Sequence, residues 1–387
     1  MSALAELAGS EQGTALLREE GVLLDRRSFV ESLRPPASEA LARSVRLPVR
    51  GDGRLGSIVY MGQQLCVDYE ASVVAKLATL SDLQADHDLD GCALWVDTDR
   101  AGSEKRMTSI SWPRPGGREG VALAPPGSKR REPRFIPIEE PQLMRAWDRL
   151  RTYLGESGAG PRSLERYARL LEVVSRTPPT TLADLSARIT DFMLAESGIR
   201  LAQGRLSTLL EQQDLTEQVR ACVNALPGVI EVFNRAVADL REAGVDPLLH
   251  PLADDYLPLR IACEADHTRL PLRRRDEAGA AYAVAICQCG ASYRFRLGRG
   301  ELSLDEITET RRWSPDVLLP VFLNDLASGA VAGKSSAIYG MVLNRVLRQA
   351  LDKQPIPMFV PETLMSEDGD GPRLAADSLV VSYLLGN

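Results

Sequence analysis

The chain is predicted to be an α/β protein. Its expected form is a Rossmann-like parallel-sheet core, interrupted by a helical insertion and a small zinc-ribbon-like β module. Three observations predict this. The β-rich runs SIVYMG (57–62) and CALWVD (92–97) flank a stretch with helical spacing. Strand, helix, strand over so short a span implies a parallel pair. From about 140 to 245 apolar residues recur at i, i+3, i+4, the stripe of packed helices. Finally, Cys263 and His267, then Cys287 and Cys289, form two short ligand pairs beside β-rich runs. Such pairs suit a tetrahedral zinc ion.

Taken in order, residues 1–50 predict an N-terminal helical segment, broken at Pro35-Pro36. Residues 51–140 predict the first part of the core. Gly62 ends the first strand, and Val73, Val74, Leu77 and Leu80 give the following helix its apolar stripe. Ligands of open α/β sheets bind beyond the carboxyl ends of the strands. Gln63, Gln64, Asp97 and Asp99 fall there. Residues 113–137, rich in Pro, Gly and Arg, are expected to be a long loop or mobile flap. Its Lys129-Arg130-Arg131 cluster is either a solvated loop or a contact for an anionic substrate.

Residues 141–250 predict a helical subdomain, with Ser163, Thr180 and Thr181 as N-cap candidates and Pro227 in a first turn. Residues 251–300 predict the zinc module, with Cys263, His267, Cys287 and Cys289 as ligands and Gly290 in a tight turn. Four protein ligands leave no open position, so the zinc would be structural. Residues 301–387 predict the second part of the core. Gly329 to Ser335 is a Gly-rich turn with three residues between its glycines, where a P-loop has four. Gly333, Lys334 and Ser335 nevertheless open a helix, and exposed N–H groups beside a cation bind anions. Asn324-Asp325 adds a polar pair after an apolar run.

Composition bounds the function. The chain has 387 residues, 44% of them hydrophobic and 26% charged, ordinary values for a globular protein with a full core. A net charge of −7 argues against bulk nucleic-acid binding. With three histidines, no Ser-His-Asp order and no HExxH, histidine-centred catalysis has few candidates. The start, MSALAELAGSEQG, lacks a basic n-region, and no apolar run reaches the roughly 18 residues of a membrane span. A reducing, cytoplasmic setting is expected, with a small-molecule substrate and no membrane partner.

Three stretches also carry a resemblance. They are VYMGQQLCVDYEASVVAKLATL, CALWVDTDRAGSEKRMTSISW and RRWSPDVLLPVFLNDLASGAVAGKSSAIYGMVL. In this order they resemble the BshC-like proteins, cysteine-adding ligases of bacillithiol biosynthesis. The resemblance implies a Rossmann-type core and a ligase joining cysteine, or a similar amine, to a sugar-malate-type acceptor. It points to Gly62, Gln63, Gln64, Asp97, Asp99, Ser314, Asn324, Asp325 and Gly333. In that reading Gln63 and Gln64 orient a nucleotide or phosphorylated intermediate, and whether ATP with Mg²⁺ is used stays open. Asp97 and Asp99 hold the amine or a metal, and Lys334, beside Ser335, neutralises developing negative charge. The chain departs from the family in having Asp97-Thr98-Asp99 in place of an acidic-histidine-acidic step. It also has Gly333-Lys334-Ser335-Ser336 in place of a Gly-Pro-Gly-Glu-like turn, and no counterpart of the C-terminal coiled coil is expected. The alternative expectation is a non-catalytic metabolite- or partner-binding protein that keeps the fold.

Overall fold

A computed structural model describes residues 3–47, 56–103, 105–114, 117–176, 178–212, 214–299, 301–364 and 378–386. Thirteen strands are found among them. They are β1 (Val22–Leu23), β2 (Ser57–Gln64), β3 (Leu89–Val96), β4 (Ser109–Arg114), β5 (Gly117–Ala122), β6 (Ala202–Arg205) and β7 (Tyr256–Ala262), followed by β8 (Arg269–Glu277), β9 (Ala280–Ile286), β10 (Ser292–Gly298), β11 (Trp313–Pro315), β12 (Gly329–Val331) and β13 (Met358–Phe359).

Six strands form a parallel sheet in the order β1-β13-β12-β2-β3-β6. Its centre is the predicted pair, β2 beside β3, joined by the helix Ala71–Asp86. Alternation along β2 sends Ile58 and Tyr60 to one face and Val59 and Met61 to the other. Both faces are covered, which is why the run is apolar throughout. Val59 and Met61 share a core with Val73, Leu77, Leu80 and Leu83 of the Ala71–Asp86 helix. Ile58 and Tyr60 share another with Ala337, Met341 and Val342 of the helix Lys334–Ala350, and with the helix Leu226–Glu242 behind it.

The helical region supplies a third core. Helices Glu140–Glu156, Pro161–Ser175 and Leu182–Glu196 pack with the β4–β5 hairpin and the helix Leu379–Leu385. Trp112 of β4 stacks on Tyr153 at 5.0 Å. Thr181 is the expected N-cap, in a reciprocal capping box with Asp184. Ser163 is not a cap: Gly160 holds that position and Ser163 lies inside the helix.

Three expectations are corrected. Residues 113–137 are not one long loop, because the antiparallel hairpin β4–β5 and two short 3₁₀ turns order much of the stretch. The region expected to be a helical subdomain also gives the sheet its edge strand β6, whose sequence Ala-Gln-Gly-Arg has no β-branched residue to announce it. β2 does not end at Gly62 but continues through Gln64, so both glutamines pair with β3. A second sheet, antiparallel, runs β10-β9-β8-β7-β11 and carries the cysteine-bearing turns. Among the described residues no helix is long and apolar enough to cross a membrane.

Gly329 shows how tightly the parallel sheet is covered. A β-carbon there would sit 2.7 Å from Leu33 Cδ2 and 2.9 Å from Phe29 Cζ. Gly329→Val is therefore expected to destabilise the fold by about 1–3 kcal/mol through overpacking, measured by urea denaturation.

Candidate functional site

Strand order decides where a ligand can enter. From β2 the chain moves one way to β3, and β12 lies on the other side of β2. The helices that follow β2 and β12 cover opposite faces of the sheet. Between the carboxyl ends of β2 and β12 the sheet therefore has a topological switch point, the usual position of a ligand crevice. A cavity of about 440 Å³ opens there, lined by Tyr60, Gln63, Gln64, Asp316, Ser336 and Tyr339 among others. Beside it a second cavity of about 540 Å³ is lined by Ser72, Lys76, Gly333, Lys334 and Ser335.

Both glutamines are held by neighbours. Lys76 Nζ donates to Gln63 Oε1 at 2.8 Å. Lys76 is only 6% exposed, and burial pushes its pKa down to about 8, with Glu70 pulling the other way. A β-carbon on Gly333 would lie 3.8 Å from Lys76 Nζ, so this amine stands against the start of the Lys334–Ala350 helix. Gln64 Nε2 donates to Asp99 Oδ2 at 2.5 Å and to Ser103 Oγ at 3.1 Å.

Asp99 leads into a buried charge network. Its Oδ1 accepts from Arg269 Nη1 at 3.2 Å. Arg269 also donates to Ser314 Oγ at 3.1 Å and to the Pro315 carbonyl at 2.6 Å. Ser314, fully buried, donates to Glu132 Oε1 at 2.9 Å. Glu132 in turn takes Arg134 Nε at 2.7 Å. Burial raises the Glu132 pKa, while Arg134 and Arg269 pull against that rise. Ser314 thus belongs to the joint between the two sheets.

The other candidates disperse. Asp97 is fully buried, and Ser207 occupies both its oxygens, the N–H at 2.9 Å and Oγ at 2.5 Å. It anchors the start of the helix Leu206–Glu211 and does not line the crevice. Asn324 bonds the Gln354 carbonyl at 3.1 Å and the Ile356 N–H at 3.0 Å, steering the chain into β13. Asp325 pairs with Lys353. Gly62 stays at the crevice with the glutamines, and Gly333, Lys334 and Ser335 stay at the adjoining cavity.

Two residues at the crevice were missed from sequence. Lys76 is concealed as one position of an amphipathic helix, and its burial beside Gln63 depends on the tertiary fold. Asp316 lies two residues beyond the chosen Ser314, and its side chain is 5% exposed in the crevice wall. Burial raises its pKa against the pull of Tyr256 and Arg260.

The cysteine cluster forms, with Asp266 rather than His267 as its fourth member. The turns β7–β8 and β9–β10 bring together Cys263, Asp266, Cys287 and Cys289, whose ligand atoms all lie within 4.8 Å of one another. Cys263 Sγ is 3.5 Å from Cys289 Sγ, and Cys287 Sγ is 3.5 Å from both Asp266 oxygens. This group could hold a metal ion. His267 is not part of it. Its N–H closes the turn on the Cys263 carbonyl at 2.9 Å, its φ is 59°, and its Nδ1 meets Arg312 Nη2 at 2.8 Å. The ring stacks on Phe135 at 5.4 Å. The turn thereby presents the preceding carboxylate to the thiols. Gly290 has the expected positive φ, 93°. Of the basic cluster, Arg130 pairs with Gln288 between the last two cysteines, and Arg131 bridges to Thr268.

No protein-family model matches the chain, and no curated protein matches it.

If Asp266 is the fourth ligand, Asp266→Ala should cut metal affinity by more than the roughly 10–100-fold that a supporting residue costs, while His267→Ala should keep the metal. Competition with a chromophoric chelator distinguishes the two. Loss in the histidine variant alone would reverse the assignment.

Proposed function

We propose that the protein is a BshC-like ligase, joining a cysteine-like amino acid to a small acceptor in the crevice between β2 and β12. The observation that carries this reading is the crevice itself, with Gln63 fixed by a buried lysine at the point where the strand order reverses. Two side-chain amides locked before any ligand arrives can orient a reacting group without further ordering. Lys76 supplies a fixed cation that is itself largely buried, where it acts on developing negative charge more strongly than it would in water. The N–H groups opening the Lys334–Ala350 helix, with Lys334 and Ser335, suit an anionic portion of donor or acceptor. Asp99 acts through Gln64, and Asp97 acts through the helix it anchors.

The same reading assigns structural zinc to the thiol cluster. Three sulfurs and one carboxylate are a donor set that zinc accepts, and four protein ligands leave no position for a substrate. Ligand bonds of about 2.3 Å in a tetrahedron require neighbouring sulfurs roughly 3.8 Å apart, close to the spacing found.

The test is direct. The purified protein is incubated with cysteine and an amino-sugar malate acceptor, with and without ATP and Mg²⁺, and products are weighed by mass spectrometry. The reading expects the acceptor to gain one cysteinyl residue, and absence of product under both conditions counts against it. Lys76→Met should lower turnover by about 10²-fold. Because Lys76 loses its proton as pH passes about 8, wild-type turnover should fall above that pH. A rate that keeps rising through pH 9 would remove the lysine cation from the reaction.

A further inference from the structure

Asp316 is the one acidic residue that lines the crevice among the described residues. Its two oxygens are treated unequally. Oδ1 accepts from Tyr256 Oη at 2.7 Å and from the Leu318 N–H at 3.3 Å. Oδ2 accepts no hydrogen bond among the described residues, and Arg260 Nη2 stands 3.6 Å away, beyond hydrogen-bond reach. Arg260 is itself poorly satisfied, with a buried Nε that has no partner. The side chain is 95% buried, yet Oδ2 keeps some exposed surface on a residue that lines the crevice, so an N–H donor in the crevice can reach it beside the Arg260 charge. Tyr256 and the Leu318 N–H fix the carboxyl plane, so the bare oxygen keeps one direction.

The crevice is also polarised. Opposite in charge to Asp316 are the Lys76–Gln63 pair and the start of the Lys334–Ala350 helix, from which Ser336 reaches the same cavity. A helix start alone defines no ligand. A carboxylate oxygen that accepts no hydrogen bond, on a residue lining the same cavity, adds the second half of a recognition pattern. One wall wants a cation with N–H groups to donate, and the other wants an anion.

We propose that Asp316 recognises the ammonium group of a free α-amino acid whose carboxylate lies toward Ser336 and the helix start. The inference rests on the crevice being the ligand site, as in the ligase reading, and names what selects the ligand there. An ammonium brings N–H donors to Oδ2, which a hydroxy acid or an N-acylated amino acid cannot match with a charge. Charge-assisted hydrogen bonds of this kind are the strong ones, and losing one from a buried site costs roughly tenfold or more in affinity.

Calorimetric titration of the full chain tests this with three probes: S-methylcysteine, its N-acetyl derivative, and methylthiopropionate, which lacks the amine. The blocked sulfur keeps the probes off the thiol cluster. Wild-type protein should bind the free amino acid at least about tenfold more tightly than either of the others. Asp316→Asn should bring the three within about threefold of one another, since the amide keeps an oxygen for Tyr256 but loses the charge. The wild-type ranking needs no variant, so it decides even if the substitution harms folding. Equal binding of the three probes by wild-type protein overturns the proposal, as does no binding of any of them at millimolar concentration. The ligase reading is judged separately, by formation of product.

Discussion

Parallel strands joined by right-handed crossovers place their helices on a face set by the direction of travel. In this chain the direction reverses at β2, so the helix after β2 and the helix after β12 cannot lie side by side. Among the described residues neither of these two helices covers the gap between the strand ends. Much of the site follows from that one constraint. The gap receives the last residues of β2, the start of the Lys334–Ala350 helix, and Lys76 from the opposite face. The core on each side is dense and apolar, so the polar groups at the gap are fixed by one another and by the strands that carry them.

The second organising interaction is the buried guanidinium of Arg269. It lies between Asp99, at the end of the parallel sheet, and Glu132, on the segment that follows the β4–β5 hairpin. Removing one partner of such a set leaves an uncompensated buried charge, a loss of about 3–5 kcal/mol. Arg269 is also the first residue of β8, two residues after His267, on the turn that carries Asp266. The orientation of Gln64 in the crevice therefore depends, through Asp99 and Arg269, on the turn that presents the thiol cluster. A metal that pins that turn would steady the crevice without touching it.

How much of this was legible in the sequence follows from range. β2, β3 and the helix between them were readable because their patterns are local and apolar. The Cys-x-Cys-Gly turn was readable because its spacing is short. The place of Asp266 rather than His267 in that cluster was not, since sequence gives spacing but not the left-handed turn that rotates the histidine toward Arg312. Asp97 looked like a site residue because the Ser207 that occupies it is 110 positions away. The sequence points to Ser314 rather than Asp316 because nothing local says which of two nearby polar residues faces the joint and which faces the crevice. Lys76 was concealed for a related reason: burial of a lysine on a helix is decided by what packs against it. The two-residue strands β1 and β13 and the polar strand β6 carry too few side chains to show a period.

The central claim is that the gap between β2 and β12 is where ligands bind. Amide hydrogen exchange of the whole chain, followed by mass spectrometry with and without cysteine and the amino-sugar malate acceptor, tests it most directly. Slower exchange should appear at residues 62–65 and 332–337, at the two strand ends that frame the crevice. Protection confined instead to the cavity between Leu226–Asn234 and Asp254–Asp276, or no change at either strand end, would contradict the account.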